Sequence, residues 1–153
     1  MSLHDVELIR RVKYRYLRAL DTKDWELYAD TLTEDVITDY GAHLKFSNRD
    51  EVVTFMSSTL GPAIITEHHC SQPEVDITGE GTATGIWNLS DRVIVPSMNA
   101  VVTGSAFYHD TYRRCVDGEW RISSTGYERT WEASFSLDDM PSFTLTANMW
   151  AQS

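Results

Sequence analysis

The sequence predicts an α+β fold in which helices near the N-terminus pack on a curved, mainly antiparallel β-sheet. Apolar residues recur at steps of three and four through about the first twenty residues, which is typical of one face of a helix. From about residue 64 the chain is rich in β-branched and aromatic residues, interrupted by short turn sequences. Helices followed by a run of strands favour a layer of helices on one face of a sheet.

The N-terminal part is predicted to contain three helices and one strand. The first helix has charged residues on one side and, on the other, the apolar residues Val6, Ile9, Val12, Tyr16 and Leu20. Polar residues then interrupt it, and Asp21 or Thr22 is expected to cap a short second helix that ends near Thr31. A strand is predicted at 36–40, and a third helix ends near Leu60.

The remaining strands are predicted from their β-branched and aromatic content at 64–70, 74–77, 82–95, 101–116 and 120–131. The dipeptide Asp117-Gly118 readily adopts the positive φ values of a tight turn, so it is expected to join the last two strands as a hairpin. The three longest strands, joined by short turns, therefore form an antiparallel meander.

The length of 153 residues fits one domain, expected at 1–132, followed by a C-terminal extension at 133–153. The extension mixes apolar side chains with Asp, Ser, Pro and Thr and shows no sustained period. In a free tail those apolar side chains would lie in water. We therefore expect the extension to cover a pocket or a subunit interface.

The charge of the chain argues against two classes of partner. Thirteen basic and 23 acidic residues give a net charge of −10, which repels nucleic-acid phosphates and anionic lipid. No apolar run is long enough to span a membrane and no secretory signal is visible, so a cytoplasmic protein is expected. Cys70 and Cys115 lack CxxC spacing and are interpreted as reduced thiols, with one disulfide left open.

Tyr16 and Asp21 are the first candidates for chemistry. Tyr16 lies on the apolar face of the first helix, and Asp21 falls where that helix is expected to end. A buried tyrosine with a hydrogen-bonded hydroxyl and an aspartate that caps a helix are also ordinary structural features. The residues alone leave both interpretations open.

His68 and His69 are neighbours on a predicted strand. Because successive strand residues point to opposite faces, only one of them faces inward, which argues against a two-histidine metal site. A neutral imidazole suits proton transfer near neutral pH, and a carboxylate beside the ring orients it. The chain has no HExxH motif, glycine-rich phosphate loop, or GxSxG or SxxK signature, so no metal or other cofactor is expected.

Asp91 shares a strand face with Trp87 and other apolar residues, because side chains two apart in a strand point the same way. A carboxylate on such a face is costly unless the face lines a wet or ligand-filled cavity. The alternative is that the strand has left the core there and that Asp91 pairs with a surface arginine. Arg129, on the last strand, is a candidate polar anchor for a ligand, with a surface role as its alternative.

A set of short motifs occurs in a characteristic order: Tyr16-x4-Asp21, Asp24-Trp25, Thr33-Glu34-Asp35-Val36, His68-His69, Tyr108-x-Asp110-x-Tyr112-Arg113-Arg114 and Asp117-Gly118-Glu119-Trp120-Arg121-Ile122. Over about residues 4–132 this order resembles the SnoaL-like branch of the nuclear-transport-factor-like (NTF2-like) superfamily. The resemblance implies a cone, in which N-terminal helices close a strongly curved mixed or antiparallel sheet around a deep apolar pocket. It also implies a homo-oligomer, a dimer or a trimer.

Within that branch the pattern is most similar to those of bile acid 7α-dehydratase and scytalone dehydratase. This similarity implies a catalytic set of His69 (rather than His68), Asp21, Tyr16, Tyr40 and Asp91. The candidate substrate-binding residues of the sequence are Trp87, Arg129 and Tyr108. The expected function is that of a cofactor-independent dehydratase, in which a His69–Asp21 dyad abstracts a proton and water leaves a hydrophobic, polycyclic or steroid-like carbonyl compound.

Two other functions remain open at this point. An isomerase or cyclase of the same fold would use the same proton transfers without loss of water. A non-catalytic binding subunit, such as the β-type subunit of a ring-hydroxylating dioxygenase, would need no complete polar set in its pocket. A histidine and an aspartate within hydrogen-bond reach at a cavity would favour an enzyme.

Overall fold

The computed structural model describes residues 3–151, which form three α-helices and six β-strands. The helices are α1 (Leu3–Thr22), α2 (Trp25–Asp30) and α3 (Arg49–Thr59). The strands are β1 (Leu32–Asp39), β2 (Lys45–Phe46), β3 (Ile65–Gly79), β4 (Thr82–Val95), β5 (Ala100–Arg114) and β6 (Trp120–Ser136). Short 3₁₀ turns follow β4 and β6 at Pro96–Met98 and Leu137–Asp139. None of the helices between residues 3 and 151 is both long and apolar enough to cross a membrane.

The strands form one curved sheet in the order β2-β1-β6-β5-β4-β3. β1 and β6 run parallel, and every other neighbouring pair is antiparallel. β4 to β6 form the three-stranded meander expected from the sequence, and β3 extends it by pairing with β4. The helices pack on the concave face of the sheet. The predicted α+β cone, with N-terminal helices on a strongly curved mixed sheet, is confirmed.

Several element boundaries differ from the prediction. β3 is one strand with a register shift between Ser71 and Glu74, where Gln72 has a left-handed φ of 50°, and not two separate strands. α1 continues through Asp21 and Thr22, so neither residue caps α2. That cap is Asp24, whose carboxylate accepts a hydrogen bond from the Leu27 amide at 3.0 Å.

A buried ion pair joins α1 to the middle of the sheet. Lys13 Nζ lies 2.8 Å from Asp110 Oδ2 on β5, and both side chains are fully buried. The ammonium also lies 3.4 Å from the centre of the Tyr108 ring. Asp110 accepts further hydrogen bonds from the hydroxyls of Tyr112 (2.7 Å) and Thr125 (2.6 Å). The carboxylate is therefore satisfied by one cation and two neutral donors, which offsets the cost of burying its charge.

The C-terminal extension begins inside a strand, because β6 continues to Ser136. Beyond it, the Leu137 amide donates to the Asn99 carbonyl at 2.8 Å, and Asn99 Nδ2 donates to Asp138 at 2.6 Å. Farther along, the Trp150 ring lies 5.7 Å from Lys23 Nζ, just after α1. The extension thus runs from the β4–β5 connection to the end of α1. That it covers a pocket or a subunit interface stays a prediction.

Removing one partner of the buried pair should destabilise the fold more than removing both charges. Lys13→Met leaves the Asp110 carboxylate buried without a cation and should lower the free energy of unfolding by about 3–5 kcal/mol. Lys13→Met combined with Asp110→Asn removes the orphaned charge and should recover at least about 1 kcal/mol of that loss. Urea unfolding followed by circular dichroism measures both. A double variant no more stable than Lys13→Met would contradict this account of α1.

Candidate active site

A cavity of about 270 Å³ lies on the concave face of the sheet, between α1 and α3. Its walls are Tyr16, Leu20, Tyr40, Leu44, Phe55, Met56, Thr59, Leu60, His68, Asp91, Val93, Tyr108, Tyr127 and Arg129. Larger depressions lie on the outer surface, including a groove of about 740 Å³ among paired Asp and Arg side chains. That groove holds none of the residues predicted for the site. The concave cavity is therefore the candidate active site.

Asp21 holds His68 at this cavity. One carboxylate oxygen of Asp21 lies 2.6 Å from His68 Nδ1 and accepts a hydrogen bond from the Thr66 hydroxyl at 2.8 Å. The other oxygen accepts a hydrogen bond from the His68 backbone amide at 2.8 Å. Because an ionised carboxylate only accepts, we assign the proton of neutral His68 to Nδ1. The unprotonated Nε2 is then free to act as a base.

The prediction that His69 is the partner of Asp21 is wrong. The His69 side chain is 71% exposed on the outer face of β3, and its Nε2 lies 3.2 Å from Glu67. The physical reason is the alternation of the strand. His68 pairs directly with Asp91 across the β3–β4 ladder, and residues that face each other there share one side of the sheet. Because Asp91 lies on the concave face of the sheet, His68 must lie on that face too.

Asp91 and Arg129 form an ion pair in the wall of the cavity. Arg129 Nη1 and Nη2 donate to the two carboxylate oxygens of Asp91 at 2.6 and 2.7 Å. These bonds raise the pKa of Arg129 above its ordinary value. Arg129 Nε also lies 3.2 Å from Glu132. Asp91 thus lines a cavity on the concave face, and its arginine partner lines the same cavity. The alternative, that the strand has left the core there, is wrong, because Asp91 is buried.

Three tyrosine hydroxyls meet at the opposite wall. The Tyr16 and Tyr40 oxygens are 2.6 Å apart, and the Tyr28 hydroxyl donates to Tyr16 at 3.3 Å. Burial is the largest cause that raises the pKa of each of these phenols above its ordinary value. They are therefore neutral at physiological pH and serve as hydrogen-bond donors. Tyr108, predicted to bind substrate, also lines the cavity, and its ring packs edge-on against that of Tyr16.

Trp87 was predicted to bind substrate and is not among the cavity-lining residues. Its side chain is fully buried, its indole nitrogen donates to the Tyr112 hydroxyl at 3.0 Å, and its ring packs edge-on against Tyr14. It shares the concave face with Asp91, as the strand period requires, but it lies under α1 rather than in the cavity. The alternation of a strand predicts on which face of the sheet a side chain lies. It does not predict whether that side chain packs in the core or lines the cavity on that face.

Two residues near the cavity were missed by sequence reasoning. Tyr28 on α2 gives no sequence signal of a bond to Tyr16, and the position of Lys13 within a helix gives no signal of a buried ion pair. Both are identified by contacts between distant elements. Among residues 3–151, no group of three or more His, Cys, Asp and Glu side chains is placed to hold a metal ion. Cys70 and Cys115 are both free thiols.

Comparison with known proteins gives a consistent picture of the chain. A family model described as SnoaL-like domain matches residues 1–126. A structure from Novosphingobium aromaticivorans, provisionally described as a scytalone dehydratase, is similar with a TM-score of 0.80 and 22% identity over 87% of this chain and 89% of that one. The structure of a type 2 hexachlorocyclohexane dehydrochlorinase (LinA) is similar with a TM-score of 0.79 and 16% identity, over 88% of this chain and 90% of that one. The structure of ActVI-ORFA from Streptomyces coelicolor has a TM-score of 0.69 and 19% identity, over 82% of this chain and 96% of that one.

The Asp21 contact should fix the tautomer of His68. Asp21→Ala removes the acceptor at Nδ1, so the neutral ring should shift towards the Nε2-protonated tautomer that free histidine prefers. Imidazole ¹⁵N chemical shifts in two-dimensional NMR measure this directly. His69, which has no contact with Asp21, is the internal control and should be unchanged. A wild-type His68 ring already protonated at Nε2 would contradict the assignment of the dyad.

Proposed function

The chain belongs to the family of SnoaL-like domains, and from that premise we propose that it is a cofactor-independent dehydratase that acts on a hydrophobic carbonyl compound. The single observation that carries the proposal is the Asp21–His68 pair beside an apolar cavity. Two proteins similar in fold are described as a dehydratase and a dehydrochlorinase. Both descriptions name eliminations, in which a proton and a leaving group depart from one molecule.

In the proposed reaction His68 is the base. Asp21 accepts the hydrogen bond from Nδ1–H and stabilises the positive charge that the ring gains when Nε2 takes a proton. That proton comes from a carbon next to the substrate carbonyl. A positioned base of this kind contributes typically about 10²–10⁴-fold in rate. The three hydrogen bonds to Asp21 hold the dyad in place before substrate binds.

The tyrosine wall, formed by Tyr16, Tyr28 and Tyr40, supplies the hydrogen-bond donor of the proposed reaction. A hydroxyl of Tyr16 or Tyr40 donates to the carbonyl oxygen, where negative charge develops as the proton leaves. When the electrons return to form the carbon–carbon double bond, the hydroxyl group leaves and takes the proton from cationic His68. Water is released and His68 is again neutral, so no external acid is consumed. Arg129, whose charge is balanced by that of Asp91, lies in the wall opposite the tyrosines and orients polar groups of the substrate there.

The volume and lining of the cavity limit the size and charge of the substrate that fits it. A volume of about 270 Å³ lies just below the roughly 300–1,000 Å³ typical of small-molecule sites. Aromatic and aliphatic side chains dominate the lining, and the one cationic group in it, Arg129, is already paired. An uncharged compact ring ketone is therefore the substrate class that fits best. A steroid would extend beyond the cavity.

Isomerisation or cyclisation is the second candidate, and one observation favours it. Asp91, a member of the expected catalytic set, has both carboxylate oxygens bonded to Arg129, so both proton transfers of an elimination would fall to His68. The dyad alone moves a proton from one atom of the substrate to another without loss of water. The mass of the product distinguishes the two reactions. A non-catalytic subunit is less well supported, because the cavity is open and its dyad is complete.

The proposal of a homo-oligomer rests on the outer face of the sheet. Phe107, Trp131 and Phe135 share that face by register and are 39%, 53% and 39% exposed. A second copy of the chain against this face would remove these rings from water.

Replacing His68 should abolish turnover, whereas replacing His69 should not. Purified protein is incubated with a panel of hydroxylated ring ketones, and loss of water is followed by mass spectrometry. On any substrate found, His68→Gln should lower kcat/KM by at least about 100-fold. His69→Gln is the matched control, a neighbouring histidine on the outer face, and should remain within about twofold of wild type. A folded His68→Gln variant with full turnover would overturn the proposed mechanism.

A further inference from the structure

Tyr28 takes part in the tyrosine wall without reaching the cavity. Its side chain is fully buried, and it is not among the lining residues. Its hydroxyl donates to the Tyr16 oxygen at 3.3 Å. That same Tyr16 oxygen lies 2.6 Å from the Tyr40 oxygen. The three hydroxyls therefore form a chain that starts in the protein interior at Tyr28 and ends at the cavity with Tyr40.

We propose that Tyr40 is the catalytic residue that donates to the developing oxyanion, and that Tyr28 is a positioning residue that directs the hydroxyl chain towards it. The inference rests on the proposed function, because it assigns a role within that reaction. It selects one donor where the cavity offers two, and it adds a residue that the resemblance to the family did not supply.

The hydroxyl protons allow two arrangements of the chain, and hydrogen-bond cooperativity favours one of them. A phenol hydroxyl has a single proton to donate. With Tyr28 donating to Tyr16, a Tyr16 proton directed at Tyr40 leaves the Tyr40 proton free for a ligand. Every bond in this arrangement runs the same way, so each polarises the next and strengthens the last donor. The reverse arrangement would give the Tyr16 oxygen two donors and place the free proton on Tyr16.

Packing holds each member of the chain in position. The Tyr16 and Tyr28 rings lie 4.9 Å apart between centres, and Trp25 packs edge-on against Tyr28. Tyr40 follows directly after β1, where its backbone amide donates to the Leu44 carbonyl at 2.9 Å and its ring lies 5.5 Å from that of Tyr127. The donors are thus arranged before any ligand arrives, which is what stabilisation of a developing charge requires.

Burial also keeps the chain in its donating form. Loss of solvent is the largest cause that raises the pKa of Tyr16, Tyr28 and Tyr40, so all three keep their protons. Lys13 Nζ lies 4.8 Å from the centre of the Tyr16 ring, a contact that favours negative charge shifting onto the chain.

The test uses 4-nitrophenol, a compact ring whose ionised form is coloured and resembles an oxyanion. Dissociation constants are measured for the neutral and the ionised forms, and their ratio gives the preference of the cavity for negative charge. The proteins are wild type, Tyr28→Phe, Tyr40→Phe and Tyr28→Phe/Tyr40→Phe. Tyr14→Phe is the control, since it removes a hydroxyl from the same helix as Tyr16 but lies outside both the chain and the cavity lining. Thermal melts confirm that each variant folds.

Tyr40→Phe should lower the preference for the ionised form by about 10- to 100-fold, and Tyr28→Phe by about 2- to 10-fold. If Tyr28 acts through Tyr40, the double variant should match Tyr40→Phe alone. Tyr14→Phe should leave the ratio unchanged.

Additive losses in the double variant, or a larger loss in Tyr28→Phe than in Tyr40→Phe, would overturn the assignment. A wild-type cavity that binds neither form, or binds both equally, would overturn it too. The measurement needs no turnover. A negative binding result would overturn the roles of Tyr28 and Tyr40 but not the role of His68, which the elimination assay tests. A negative elimination assay would overturn the proposed reaction but would not change the measured preference for the ionised phenol.

Discussion

The position of α1 over the sheet depends on the buried ion pair between Lys13 and Asp110. Burying two charges is unfavourable unless they meet each other and further donors, so the pair tolerates very little displacement of the helix. Tyr16 lies one turn farther along α1 and Asp21 two turns farther. Once Lys13 is placed, the tyrosine wall and the carboxylate of the dyad are placed with it.

Asp21 is the second point at which α1 is attached. Its carboxylate accepts hydrogen bonds from the Thr66 hydroxyl, the His68 amide and the His68 ring. The contact that orients the proposed base is therefore also a contact that closes the helix layer onto the edge strand β3. One carboxylate thus serves the fold and, in the proposed reaction, the chemistry, which is why a sequence can suggest its importance without revealing which role it has.

Periodicity and ordered motifs in the sequence were sufficient for the fold class, and the resemblance to the SnoaL-like branch supplied most residues of the candidate site. Tyr16, Asp21, Tyr40, Asp91 and Arg129 all reach the cavity or its dyad. The choice between His68 and His69 failed because it depends on which residues face each other across two strands, and one residue of slip reverses the outcome. Lys13 and Tyr28 were missed because their partners lie in elements that periodicity cannot bring together.

The parallel pairing of β1 with β6 sets the order in which this molecule can assemble. β1 (Leu32–Asp39) has only the two-residue β2 on its other side, so its main partner is made some ninety residues later. Closing so long a loop is entropically costly and slow compared with zipping the meander of β3 to β6. On a ribosome, Tyr40 would remain unplaced until nearly the whole chain had emerged. The cavity is accordingly complete only after β6 has paired with β1.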